Sequence, residues 1–377
     1  MTEIYIIRHV QAEGNLYRFM QGQWDGDVTA LGHEQRRRLA ARFRDLPLDA
    51  VYSSDLYRAR FTAEAVAEGR GLPILLDKRL REINVGPWEA QPFANVVWEE
   101  PETFAVFMTE PEHFRLSGAE TYHHVRARAY EALCDIAARN DGRCVAIASH
   151  GITIRCMLTA ALGLPLSDTA AVPIFANTGV AHLFYENGAF RLDYLNDDSH
   201  LEGLPQISPI KLPALRHVAI DPDRERALYC ECYADPWRAA HGDLGGYVDA
   251  PYLSAAVAHH RADPASVLAL YDEENFAGLV DLDTERGRHA NYGWLSLLYL
   301  RPEYRRRGLG VQALGRAVSK FEEMGRTALR LHVSEENAAA LAFYRHWGFE
   351  ELSRAPGARG HLLLMEKKLR GVGHGHV

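Results

Sequence analysis

The stretch that decides the first half of the chain is Thr2–Asn15, TEIYIIRHVQAEGN. Ile4, Tyr5, Ile6 and Ile7 form an unbroken apolar run, the pattern of a strand buried on both faces, and the run stops at Arg8 and His9. A second such run, CVAIAS (144–149), stops at His150. In open parallel sheets the carboxyl ends of the strands border the ligand crevice, so two strand-end histidines predict a shared site. Arg8 flanks the first of them, and Arg58 stands early in the helix that follows VYSSD (51–55). Guanidinium forks match phosphate oxygens, and the start of that helix offers backbone N–H groups to an anion. Singly, a strand-end histidine is usually a loop residue and Arg58 a solvated helix charge. Together they describe an oxyanion pocket.

Outward from this pair, residues 1 to about 203 alternate between strand-like and helix-like runs. LGHEQRRRLAARFRDL (31–46), LYRARFTAEAVAEG (56–69), ETYHHVRARAYEALCDIAARN (120–140) and TIRCMLTAAL (153–162) have helical spacing. DAVYSS (49–54) and PILLD (73–77) are short strands, and GVAHLFYENGAFRLDYLN (179–196) is a hairpin turning at Asn187-Gly188. Alternation of this kind predicts an α/β layer sandwich on a largely parallel sheet. GLPQISPIKLP (203–213), with three prolines and no periodicity, reads as a linker over 204–213. Residues 214–370 follow a different α/β plan with antiparallel neighbours, and 371–377 (GVGHGHV) reads as a disordered tail, whose two histidines are weak metal candidates at most.

The bulk numbers fit this division. At 377 residues the chain exceeds one ordinary core. Its formal net charge of −8 argues against nucleic-acid and anionic-membrane binding. No apolar run approaches the roughly 18 residues of a membrane helix, and Arg8 and His9 interrupt any signal-peptide pattern. Five cysteines without zinc-type spacing read as reduced thiols, and Cys230 and Cys232 would face different sides of a helix. A cytoplasmic protein is expected.

The motifs of the first half resemble those of the histidine phosphatase superfamily, the fold of the phosphoglycerate mutases. RHVQAEGN (8–15), QGQWDGDVTALGHEQ (21–35), SSDLYRARFTAEA (53–65), LREINVGPWE (80–89), GAETY (118–122), ASHG (148–151) and NTGVAHL (177–183) follow the family's order. The resemblance implies a three-layer α/β/α domain and a set of roles. His9 would be the nucleophile that becomes phosphohistidine. Arg8, Arg58 and His150 would hold the phosphoryl oxygens. Glu82 would protonate the leaving group, and Asn15 and Gln21 would line the rim. No metal is implied. The short segment between Glu82 and Gly118 favours a phosphatase over a mutase, with Phe93, Trp98, Phe104 and Phe107 as substrate contacts or packing. Val10 is the departure, because the family carries glycine there. If that position needs a positive φ, a β-branched residue is strained; if it needs only space, Val10 narrows the wall.

In the second half, WLSLLYLRPEYRRRGLGVQALG (294–315) is a strand, an Arg- and Gly-rich loop and a helix, a geometry suited to pyrophosphate. With ENAAALAFYRHWGFEE (336–351) it resembles the GNAT acetyltransferases. This implies an α+β domain with a mixed sheet and acetyl-CoA as co-substrate. Leu298 and Leu300 would lend backbone groups to the pantetheine arm. Arg305, Arg306, Arg307, Gly308, Leu309 and Gly310 would bind the pyrophosphate, Asn337 would line the cofactor path, and Tyr344 would protonate the thiolate. Asp281, Asp283 and His289 are candidate bases that no spacing separates.

The expected protein is bifunctional, a phosphomonoesterase acting on a small phosphorylated metabolite and an acetyltransferase acting on a small amine. The covalent link motivates sequential action on one metabolite, such as a phosphorylated amine or amino sugar. Two alternatives stand beside it: a GNAT domain that only senses acetyl-CoA, or a decayed phosphatase site. Substrates, coupling and oligomeric state are not readable from the residues.

Overall fold

The two apolar runs that end in histidine lie side by side. In the computed structural model, which describes residues 1–205, 214–357 and 360–370, β1 (Thr2–Arg8) pairs in parallel with β4 (Cys144–Ser149), bringing Arg8 opposite Ser149. β2 (Ala50–Ser53) and β3 (Ile74–Leu76) extend the sheet beyond β4, and antiparallel β5 (Val180–Glu186) and β6 (Ala189–Asp197) flank β1, in the order β3-β2-β4-β1-β5-β6. The β5–β6 turn is Asn187-Gly188, both with positive φ (53° and 85°), the conformation a tight hairpin demands.

Strand alternation sends side chains to two cores. Ile4, Ile6, Val145 and Ile147 pack against Ala129, Leu133 and Ile136 of α6 (Tyr122–Arg139) and Ile154 and Leu158 of α7 (Gly151–Ala161). Tyr5, Ile7, Ala146 and Ala148 pack against Leu39 and Phe43 of α2 (Ala30–Phe43) and Ala63 and Val66 of α3 (Tyr57–Ala67). This is the expected three-layer α/β/α arrangement. Shorter helices are α1 (Glu13–Tyr17), α4 (Phe93–Glu99) and α5 (Pro101–Thr109).

The chain divides into two compact units, with residues 1–205 supplying the bulk of the first and 214–370 the bulk of the second. The second sheet is mixed: β7 (Arg216–Ala219), β8 (Val267–Asp272), β9 (Asn275–Asp283), β10 (Tyr292–Leu300), β11 (Ala328–Ser334), β12 (Glu350–Pro356) and β13 (His361–Lys368), in the order β12-β13-β11-β10-β9-β8-β7. Only β10 and β11 run parallel; the other neighbours are antiparallel. α8 (Arg226–His241) and α9 (Ala250–Ala262) contribute Tyr229, Cys232, Leu253 and Ala256 to a core with Leu279 and Leu297. α10 (Gly310–Glu323) crosses so close to β10 that a Cβ on Gly293 would lie 2.1 Å from the Phe321 ring. α11 (Ala338–His346) completes the unit.

α8 runs through Pro236 to His241, where Gly242 ends it in the left-handed region (φ 80°). One element differs from the reading of the sequence. β12 was not expected; each of its seven residues is exposed, so no apolar alternation marks it. The linker from residue 206 onward and the 371–377 tail lie outside the described residues. Among the described residues no helix is long and apolar enough to cross a membrane, and no cluster could hold a metal ion.

Ile147, fully buried in β4, packs against helix side chains on one face of the sheet. Ile147→Ala should lower stability by about 2–5 kcal/mol, read as a reduced urea midpoint with an unchanged slope.

Candidate active sites

His9 sits one residue past β1 and is 3% exposed. Its Nδ1 lies 2.7 Å from the Val10 carbonyl oxygen, which can only accept, so Nδ1 carries the proton and Nε2 keeps the lone pair. The neighbouring backbone is held from three sides: His9 N–H donates to Ser149 O (3.0 Å), Thr178 N–H to Arg8 O (3.0 Å), and Asn177 Nδ2 to His9 O (2.9 Å). Thr178 adopts a positive φ of 63°, a rare state for a β-branched residue. Asn177 and Thr178 were legible only as a strand entry; their hold on His9 is visible in the fold alone.

Val10 is fully buried and outside the left-handed region, and its N–H donates to Thr62 Oγ1 at 2.9 Å. The backbone strain considered for this position is absent.

The His150 ring lies 5.2 Å from the His9 ring, centroid to centroid. Its Nε2 is 2.9 Å from Ser54 Oγ, while Nδ1 is buried with no hydrogen-bond partner among the described residues. The Nε groups of Arg8 and Arg58 are buried and unpartnered in the same way. Their other nitrogens are anchored. Arg8 donates to Phe175 O, and Arg58 donates to Trp24 O (2.9 Å) and Gly22 O (2.7 Å) and faces Asp25 (3.3 Å). Burial holds His9 well below its usual pKa, and Arg58 and Arg8 push it further. Burial, Arg58 and His9 do the same to His150. Burial brings Arg8 down to about 10 despite the nearby Glu82, with Arg58 adding to the fall. Two neutral imidazoles therefore share a pocket with two guanidinium cations.

Glu82 adjoins Arg8 across Gly151: a Cβ there would lie 3.7 Å from Arg8 Nε and 3.8 Å from Glu82 Oε2. The carboxylate accepts from Ile152 N–H (3.1 Å), Thr153 N–H (3.0 Å) and Thr153 Oγ1 (3.0 Å) at the start of α7. The helix start expected to serve the anion is engaged otherwise, because Tyr57 N–H donates to Asp25 Oδ2 at 2.6 Å. Asn15 Oδ1 accepts from Ala12 N–H (3.0 Å), and half-buried Gln21 packs on Gly14 with its Oε1 unpartnered. Of the four aromatic candidates, Phe107 is buried against Trp88, Phe114 and Tyr122, and Phe104 joins that cluster. Trp98 is half-exposed and Phe93 half-buried.

In the second unit the parallel ladder between β10 and β11 covers only Tyr292–Trp294. A bulge between Leu295 and Leu297 follows, and the strands part, leaving the β11-facing edge of residues 295–300 without a strand partner. A cavity of about 470 Å³ lies in this unit, and Leu298, Asn337 and Tyr344 line it. Asn337 caps α11, its Oδ1 accepting from Ala340 N–H at 3.0 Å. Tyr344 is buried against Phe343 and Phe349, and burial raises its phenol above the usual range. Leu300 is buried, its carbonyl accepting from Arg305 Nε at 2.7 Å; Arg305 also pairs with Asp235 at 2.6 Å. Arg306 and Gly308 take positive φ (58° and 75°), Arg307 lies over the Tyr304 ring, and buried Leu309 precedes Gly310 at the start of α10. This loop does not line the cavity. An unpaired strand edge beside a turn entering a helix fits an extended thioester cofactor with a pyrophosphate.

Asp281 and Asp283 also line the cavity, whereas His289 is exposed away from it. Their partner is His259, which the sequence reading overlooked in the run AHH: Nδ1 is 2.7 Å from Asp281 and Nε2 is 3.3 Å from Asp283. Burial opposes its charge, but the two carboxylates raise it to about 9.

A sequence profile of the histidine phosphatase superfamily (branch 1) matches residues 4–198. The chain belongs to the histidine phosphatase superfamily. A profile of the acetyltransferase (GNAT) family matches residues 224–349, so the same chain carries a GNAT domain, and both families are enzymes. The phosphatase-like part is 34% identical over 165 residues to a probable phosphoglycerate mutase GpmB of Escherichia fergusonii, covering 44% of this chain and 77% of that protein. A protein of the same description from Enterobacter sp. is 30% identical over 207 residues, 54% of this chain and 96% of its own. Among solved structures, Bacillus stearothermophilus YhfR superposes with a TM-score of 0.52 and 33% identity, over 54% of this chain and all of its own.

The neutral imidazoles of the histidine phosphatase domain have a consequence for stability. Unfolded, each titrates near 6.5; folded, both titrate well below. Above 6.5 neither state binds these protons, and below it the unfolded chain gains protons that the folded chain refuses. Stability should hold from pH 7.5 to about 6.5 and then fall toward pH 5.0, by on the order of 1 kcal/mol per pH unit for each imidazole. Urea midpoints across that range should fall less steeply in a His9→Gln/His150→Gln variant.

Proposed function

We propose that residues 1–203 are a metal-independent phosphomonoesterase acting through a phosphohistidine on His9, and that residues 214–370 are an acetyl-CoA-dependent N-acetyltransferase. One observation carries the first reading: the buried Nε–H groups of Arg8 and Arg58 and the buried Nδ1 of His150 lack partners among the described residues, around a neutral imidazole whose Nδ1 is already committed. Unpartnered buried donors are costly unless a ligand completes them, and a phosphoryl group supplies the matching oxygens.

In the reaction the His9 Nε2 lone pair attacks phosphorus as the P–O bond to the alcohol breaks. The departing alkoxide takes a proton from Glu82, which Thr153 and the α7 amides orient. Water then attacks phosphorus, its proton passes to the Glu82 carboxylate, and the P–N bond breaks to release phosphate and restore His9. Arg8, Arg58 and His150 hold the equatorial oxygens throughout. Asn15 and Gln21 border the mouth. Hydrolysis is favoured over mutase chemistry because residues 83–117 are few and part of them is spent on the Trp88–Phe107–Phe114 cluster.

In the second domain, bound acetyl-CoA supplies a thioester-activated acetyl group. Leu298 and Leu300 would hold its arm by their backbone, Arg305, Arg306, Arg307, Gly308, Leu309 and Gly310 its pyrophosphate, and Asn337 its path. Tyr344, whose phenol burial raises, keeps its proton at neutral pH and would give it to sulfur.

With p-nitrophenyl phosphate, His9→Ala should cut the rate by on the order of 10³-fold or more, and acid-labile phosphohistidine should be trapped only in the unsubstituted chain. Equal rates in both proteins would end the reading. In the second domain, Tyr344→Phe should lower kcat for thiol release by on the order of 10²-fold with little change in KM.

A further inference from the structure

The cavity of the GNAT domain has a set of lining residues that the acetyl-CoA assignments leave unused. Tyr229, Tyr233 and Trp237 come from α8 and Tyr252 from α9. The Tyr233 and Tyr252 rings stack, with centroids 4.0 Å apart and planes 20° from parallel, and Tyr229 adjoins Tyr233 at 6.1 Å. The Tyr229 hydroxyl donates to Asp281 Oδ2 at 2.7 Å, while the other Asp281 oxygen holds His259. Asp283 closes the far side of that imidazole at 3.3 Å and accepts from the N–H groups of Glu285 (3.1 Å) and Arg286 (2.9 Å).

The charge balance of this cluster is one-sided. Two carboxylates embrace one imidazole, so even with His259 protonated the cluster keeps a net charge of −1. Aromatic rings line the same cavity, and aromatic faces attract cations. The other formal charge of the lining is the Arg286 cation, which lies over the Trp294 ring at 3.4 Å, so the excess negative charge is local to the cluster. His241 is occupied by Glu336 at 3.2 Å, and burial and Arg286 lower His332 toward its neutral form. The lining also carries the hydroxyls of Ser296 and Ser334 and one amide, Asn337, which caps α11. Trp237 contributes one buried indole N–H without a hydrogen-bond partner among the described residues, enough for a single ring oxygen.

The geometry points to an arylalkylamine as the acceptor, entering as an ammonium ion toward the Asp281–His259–Asp283 cluster with its ring against the Tyr233–Tyr252 stack. This assignment rests on the acetyltransferase reading above. Tyr233 and Tyr252 are binding residues in it, and the two carboxylates set the sign of the charge that is accepted.

The test uses the full chain and calorimetric titration without acetyl-CoA, with 2-phenylethylamine, tyramine, 2-phenylethanol, putrescine and glucosamine as probes. Thiol release is measured with acetyl-CoA and the same set. Phenylethylamine and tyramine should bind and turn over, and the uncharged alcohol should bind at least several-fold more weakly. Tyr252→Leu and Asp283→Asn should each weaken the arylamines by up to about tenfold while acetyl-CoA binds as before, which also certifies that the variants fold. Equal binding of the alcohol, or binding or turnover of putrescine or glucosamine at least as good as that of the arylamines, would overturn the assignment. If acetyl-CoA binds and no arylamine is acetylated, the assignment fails alone; if acetyl-CoA does not bind at all, the acetyltransferase reading fails with it.

Discussion

The parallel ladder between β1 and β4 runs for six pairs, from Glu3 opposite Cys144 to Arg8 opposite Ser149, and both strands release the chain at the same level. Because each strand is buried on both faces, its register is set twice over. Ile4, Ile6, Val145 and Ile147 must meet α6 and α7, and Tyr5, Ile7, Ala146 and Ala148 must meet α2 and α3. A slip by one residue would turn every side chain to the wrong core. The 5.2 Å between the His9 and His150 rings is therefore a product of packing spread along about 7–17 Å of strand leading up to the histidines, at about 3.3 Å per residue.

The same burial shapes the electrostatics. Apolar surroundings and two guanidinium groups keep both imidazoles neutral, which a nucleophilic nitrogen requires. They also leave cations facing one another with donors unfilled. Such an arrangement costs stability in the empty pocket and is relieved by an anion, the usual trade between a preorganised site and a relaxed fold. Thr178, held in the left-handed region while its N–H reaches the Arg8 carbonyl, is a second expense of the same kind, localised where the His9 backbone must not drift.

The second domain makes its site by the opposite device. Where β1 and β4 succeed in pairing throughout, β10 and β11 pair for three residues and then separate. A bulge and the press of Phe321 on Gly293 accompany the parting. The gap becomes a cavity whose walls come from α8, α9, β9, β10, β11 and α11, so its chemistry is mixed: backbone edge, buried phenols and a carboxylate-clamped imidazole.

The sequence by itself determined the elements with strong periodicity, the two strand-end histidines, and the motifs that contain Arg8, Arg58, Glu82 and Tyr344, since all of these are local patterns along the chain. It could not reveal β12, whose exposed residues carry no alternation. Only the tertiary structure decided that Val10 is unstrained, that Asp25 claims the α3 amide, and that His259 stands between Asp281 and Asp283. Each of these depends on residues at least 15 positions apart along the chain meeting in space, or on a backbone angle that neighbours impose. No spacing rule encodes such meetings, because sheet pairing and helix packing, rather than the local pattern, bring the partners together.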